Sequence, residues 1–132
     1  MVRALEERIR ARRVVVEAVR GFGEAVERVL GPVAVILYGS YARGDFNLWS
    51  DIDVLLVVED GVQLPAKPHR RLDLIEEFLP PNFQVSVVTV SELLRALSRN
   101  PVVRSVLSEA VLVYDVLGLE RRLREQGFVL RR

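Results

Sequence analysis

The chain has 132 residues and a mass of 15.0 kDa, the size of one domain. Half of its residues are apolar, 28% are charged, and it holds eight glycines, six prolines and no cysteine, which excludes disorder as the main state, disulfides, iron–sulfur clusters and thiolate zinc sites. Nineteen basic residues against 18 acidic ones leave a net charge of +1, so nucleic-acid binding through a bulk positive field is not expected. Apolar runs such as Ala34 to Tyr38 and Val54 to Val58 reach about a quarter of the roughly 20 residues that span a bilayer. No charged segment followed by an apolar one precedes them, and the expected location is the cytoplasm, with no membrane partner. All basic residues but Lys67 are arginines.

In chain order, Val2, Leu5, Ile9, Val16, Val19, Val26, Val29 and Leu30 recur at spacings that put a stripe on one helical face, predicting a helix over 1–30 with a break at Gly21-Phe22-Gly23. After Gly31-Pro32, the run Val33 to Tyr38 predicts a buried strand, and Gly39 to Gly44 a glycine-bounded turn. Asp51 to Val58 reads as a second strand covered on both faces, and Gly61 to His69, with Pro65 and Pro68, as a loop. An amphipathic helix is predicted over Arg71 to Leu79, ended by Pro80-Pro81, and a third strand over Phe83 to Val90. Ser91 suits an N-cap for a helix to Leu97, and Pro101 opens another to about Glu109. Val111 to Tyr114 reads as a short fourth strand and Leu119 to Leu130 as a charged amphipathic helix. The expected class is α/β (α+β): one domain over 1–132, with an N-terminal helix over 1–30, a core over 31–114 built on a mixed sheet of three to four strands flanked by helices, and a C-terminal helix over 118–132.

The chemistry concentrates in Gly39-Ser40, Arg43-Gly44 and Ser50-Asp51-Ile52-Asp53, all within 15 residues. Side chains at i and i+2 of a strand share a face, so Asp51 and Asp53 emerge together. Two such carboxylates stay ionised only around a cation, and hard oxygen ligands suit Mg²⁺, or Mn²⁺, shared with phosphate and water. Gly39 permits a sharp turn and close approach of a phosphate, Ser40 adds a hydroxyl where helical N–H groups begin, and Arg43 offers a fixed positive fork. A phosphate cradle beside a cation site fits a nucleoside triphosphate. Plainer roles stand beside these: pairing of Arg43 with Asp45, a solvated strand start with Ser50 capping a turn, Trp49 at a core edge rather than on a base, His69 inert in its loop, and Arg-rich termini as solvated helix faces.

Gly39-Ser40-Tyr41-Ala42-Arg43-Gly44, a five-residue spacer and Ser50-Asp51-Ile52-Asp53 resemble the signature of the minimal nucleotidyltransferases of the DNA polymerase beta superfamily. The resemblance implies a polymerase beta palm-like fold and transfer of a nucleoside monophosphate from an NTP to an acceptor. It implies triphosphate binding around Gly39, Ser40, Arg43, Gly44 and Ser50, with Asp51 and Asp53 as catalytic metal ligands. It also suggests a HEPN-family partner in a toxin–antitoxin module, and leaves room for homo-oligomers. The family's third carboxylate lies on a later strand; here Ser86 fills that slot in Gln84-Val85-Ser86-Val87-Val88, and serine is a poor metal ligand and base. A rival expectation is therefore a catalytically degenerate fold that binds and neutralises a partner.

Overall fold

The apolar stripe of the first 30 residues forms one continuous helix, α1 (Val2–Leu30), in the computed structural model, which describes residues 2–47 and 49–132. The break predicted at Gly21 to Gly23 does not occur. A Cβ built on Gly23 would stand 2.7 Å from Tyr114 Cδ2 and 3.0 Å from Val35 Cγ2, so this glycine lets α1 lie close to the sheet while the helix runs on. Val15, Val19, Phe22 and Val26 bury the inner face, each such side chain contributing about 1.5–3 kcal/mol of transfer free energy.

Four strands follow: β1 (Val33–Tyr38), β2 (Ile52–Val58), β3 (Phe83–Thr89) and β4 (Val111–Asp115). They form one sheet in the order β3-β2-β1-β4, with β1 antiparallel to β2 and β4 and β2 parallel to β3. The two central strands are apolar on both faces because both faces are covered. Val33, Val35 and Leu37 pack toward α1, while Ala34 and Ile36 pack against the helices of the second half.

Those helices are α4 (Val90–Arg99), α5 (Pro101–Ser108) and α6 (Leu119–Glu125), and two short ones, α2 (Ser40–Arg43) and α3 (Pro68–Arg71), lie in the connections. The cap of α4 is Thr89, not Ser91: Thr89 accepts from the Glu92 amide and Glu92 accepts from the Thr89 amide, a capping box, while Ser91 donates to Asp60. The helix predicted over Arg71 to Leu79 is replaced by α3 and two 3₁₀ turns, Leu72–Leu74 and Glu76–Phe78. Arg71 explains the break. Its guanidinium, with the residue 9% exposed, donates to Pro65 O at 2.7 Å, to Val87 O at 2.8 Å and to both oxygens of Glu92 at 2.8 and 2.9 Å. α6 also ends earlier than predicted, because Gly127 takes a φ of 80°. The chain then leaves the helix and Arg131 bridges Val111. Among the described residues no helix is long and apolar enough to cross a membrane.

Candidate active site

β1 ends at Tyr38 and delivers the chain to Gly39. The pairing of Tyr38 with Asp53 sets the Asp53 carboxylate beside the residue that follows β1. Gly39 has φ 76° and ψ −155°, a region essentially reserved for glycine. A Cβ there would lie 2.2 Å from Asp53 Oδ2. The glycine therefore serves contact as well as turning: its bare Cα is what admits the carboxylate against the backbone.

Ser40 opens α2, whose turn is closed by Arg43 N and Ala42 N donating to Gly39 O and by Gly44 N and Asp45 N donating to Ser40 O. The first amides of a helical turn have no partner within it, which holds here for those of Ser40 and Tyr41. Gly44 closes the turn in the left-handed conformation, φ 92°.

Asp51 is exposed just before β2 and Asp53 is half-buried within it. Burial raises the Asp53 carboxyl above the usual range, the Asp51 charge raises it further, and Arg43 partly opposes both. Two mutually repelling oxygen donors, one of them partly desolvated, fit a hard divalent cation such as Mg²⁺. Among the described residues no group of three or more His, Asp or Glu side chains is placed to hold a metal.

Ser86 lies on β3 opposite Leu55, as Gln84 lies opposite Asp53, so Ser86, Leu55 and Asp53 share one face of the sheet. Its hydroxyl neighbours Tyr38, whose phenol is raised above its ordinary value by burial, lowered somewhat by Ser86 and raised by Asp53. Tyr38 is therefore a protonated phenol at neutral pH. Together with Leu55, Val102, Val103, Val106 and Leu107 these residues line a hollow of about 200 Å³ between sheet and α5.

The other predicted residues are placed as follows. Arg43 pairs with Asp45 at 3.2 Å and stands 4.0 Å from Glu109. The Ser50 hydroxyl accepts from the Asn47 amide at 2.9 Å, within the loop that leads to Asp51. Trp49 is 90% exposed in the same loop. Glu59 pairs with Arg122 at 3.3 Å and Asp60 holds Ser91, both past the other end of β2. Asp73 is exposed on a 3₁₀ turn and His69 on α3.

Sequence reasoning missed Arg8 and Arg12. Arg8 Nη2 donates to Gly44 O at 2.9 Å and Phe46 O at 2.5 Å, and Arg12 Nε donates to Tyr41 O at 3.0 Å. Nothing in an Arg-rich helical run marks which arginines fold back on a turn 29 to 38 residues away.

Residues 19–113 match the family of nucleotidyltransferase domains. Over 55 residues the chain is 38% identical to a protein of Methanocaldococcus jannaschii provisionally named a protein adenylyltransferase. That stretch covers 40% of this chain and spans little more than half of the relative, 56%. A crystal structure from Sulfolobus solfataricus, of a protein provisionally described as a nucleotidyltransferase, is similar with a TM-score of 0.62 over 93% of each chain at 24% identity. That likeness is one of fold.

Proposed function

The chain belongs to the nucleotidyltransferase domain family, and from that premise we propose that it transfers AMP from ATP to a protein or small hydroxyl-bearing acceptor. The observation that carries the reading is the seating of the Asp53 carboxylate against the bare Cα of Gly39, two residues from Asp51 and beside the α2 turn. The name of the Methanocaldococcus jannaschii relative supports AMP and a protein acceptor.

Asp51 and Asp53 would hold Mg²⁺ or Mn²⁺, which supplies neutralisation of the triphosphate charge. Gly39 lets a phosphate reach the backbone, and the amides of Ser40 and Tyr41 with the Ser40 hydroxyl donate to its oxygens. Arg43, held at the surface by Asp45, adds a charge-assisted donor once it exchanges that partner for phosphate. The acceptor oxygen bonds to the α-phosphorus, the bond from that phosphorus to the bridging oxygen breaks, and pyrophosphate departs. Ser86 and the protonated Tyr38 cannot take the acceptor's proton. It passes to solvent. Transfer without a third carboxylate is accordingly slow.

The test is incubation with α-labelled ATP, Mg²⁺ or Mn²⁺ and candidate acceptors. Label is expected on the acceptor with wild type and none with Asp53→Asn; absence of label with wild type over all acceptors rejects the reading. A second reading, a binding module that caps a HEPN-type partner without chemistry, is favoured by Ser86 in the third slot and by Val102 and Val106 exposed beside it, 68% and 42%. It requires a complex that survives Asp51→Asn and Asp53→Asn. A complex lost in those variants counts against it.

A further inference from the structure

We propose that Arg8 and Arg12 of α1 are positioning residues for the triphosphate: they grip the carbonyl end of the α2 turn and so hold its amide end open for phosphate. The proposal rests on the reading of Gly39 to Gly44 as a nucleotide cradle and adds a mechanism for its rigidity.

A four-residue helix is too short to hold itself, since its last carbonyls lack partners inside it. Here the two arginines supply them. Arg8 Nη2 bonds Gly44 O and Phe46 O, and Arg12 Nε bonds Tyr41 O. The Arg8 guanidinium also lies over the Phe46 ring, 4.7 Å from its centre, and Phe46 stacks on Tyr41 at 4.3 Å and 17°. Both rings are buried. The cluster thus joins a helix near the start of the chain to both ends of the 41–46 segment. Neither arginine is given to a carboxylate at 4.0 Å or less among the described residues, although Glu6 and Glu7 lie on the same helix.

Arg8 is exposed and Arg12 only half-buried, and the fully buried positions of α1, Val19 and Val26, lie about two turns or more further along the helix. Their loss is therefore expected to loosen the turn and leave the fold standing. If the released turn adopts the phosphate-ready form a tenth of the time, apparent affinity falls about tenfold.

The experiment compares wild type, Arg8→Ala, Arg12→Ala, the double variant and Arg8→Lys. It reads three quantities: calorimetric binding of α,β-methylene-ATP with Mg²⁺, amide exchange at residues 42–45, and thermal midpoint. Expected in the double variant are about tenfold weaker binding, faster exchange at 42–45 and an unchanged midpoint, with Arg8→Lys falling between. Wild-type exchange and affinity in a folded double variant overturn the proposal, as does an Arg8→Lys protein that binds like wild type, which would mean that charge alone acts. Wild type that binds no nucleotide sinks the cradle reading instead, and the exchange comparison then decides whether the grip exists: unchanged exchange overturns it.

Discussion

A methyl group at position 39 would stand 2.2 Å from Asp53 Oδ2, on a backbone whose φ and ψ cost a non-glycine residue about 1–3 kcal/mol. Gly39→Ala is expected to stay folded with a lowered midpoint and to lose transfer from labelled ATP as fully as Asp53→Asn does, because the carboxylate must move. An alanine variant with wild-type transfer would show that the contact does not matter. Ser86 poses the opposite question at the same scale. Ser86→Asp places an oxygen acid opposite Leu55 on the face that carries Asp53, and a positioned base is worth about a hundredfold or more. The rate of label transfer should rise by that order; an unchanged rate would mean that position 86 is not where the acceptor is activated.

Two glycines two residues apart have opposite roles within one helix. Gly21 has no atom within 4 Å of a built Cβ, whereas Gly23 meets Tyr114 and Val35 at 2.7 and 3.0 Å. Gly21→Ala should therefore stabilise by about 0.5–1 kcal/mol through helix propensity, and Gly23→Ala should destabilise by about 1–3 kcal/mol through overpacking, both read by denaturant melts. The sequence offers two glycines in a helical stripe and no means of telling them apart, since the atoms that do so come from β1 and β4. The same holds for the segment after Arg71, where Leu72, Ile75 and Leu79 fit a helix by spacing. The long-range grip of Arg71 on Val87 and Glu92 is a tertiary fact without a local pattern. By contrast Thr89-Val90-Ser91-Glu92 spells a capping box that the expectation of a cap at Ser91 overlooks, and β1 and β2 are readable because burial on both faces writes an unbroken apolar run.

Glu92 gives this element a pH signature. The Arg71 hydrogen bonds, and to a lesser extent the Thr89 amide, hold its carboxyl down to about 2 from 4.5, against the opposing effect of burial. A carboxylate whose folded value lies below its unfolded one contributes stability that is complete above its unfolded value and lost as pH falls toward the folded one. The midpoint of wild type should exceed that of Glu92→Gln at pH 6, with the gap closing between pH 4.5 and about 2. A gap that is constant across that range would separate Glu92 from the acid sensitivity of the fold.

At the scale of the whole molecule, the near balance of charge is also a spatial arrangement. Gly39 to Asp53 could be read as a site because its parts lie within one short stretch of chain, joined by a single strand pairing. Arg8 and Arg12 could not, because the helix that carries them meets the turn only after folding. Their engagement bears on nucleic acid. The first half of α1 holds Arg3, Arg8, Arg10, Arg12 and Arg13 with Glu6 and Glu7, yet two of these arginines are committed to carbonyls of the 41–46 segment. At the other terminus Arg122 pairs with Glu59, and Arg124 and Arg132 with Glu120. Non-specific binding scales with the phosphates a protein neutralises and sets in at about 10⁻⁴–10⁻⁶ M for proteins built for it at physiological salt. Fluorescence anisotropy with a single-stranded RNA at that salt should therefore show no saturable binding in the micromolar range. Tight binding with a steep salt dependence that disappears in Arg10→Ala/Arg13→Ala would mean that the terminal arginines form a nucleic-acid surface, and the acceptor of the transferred nucleotide would then have to be sought among RNAs.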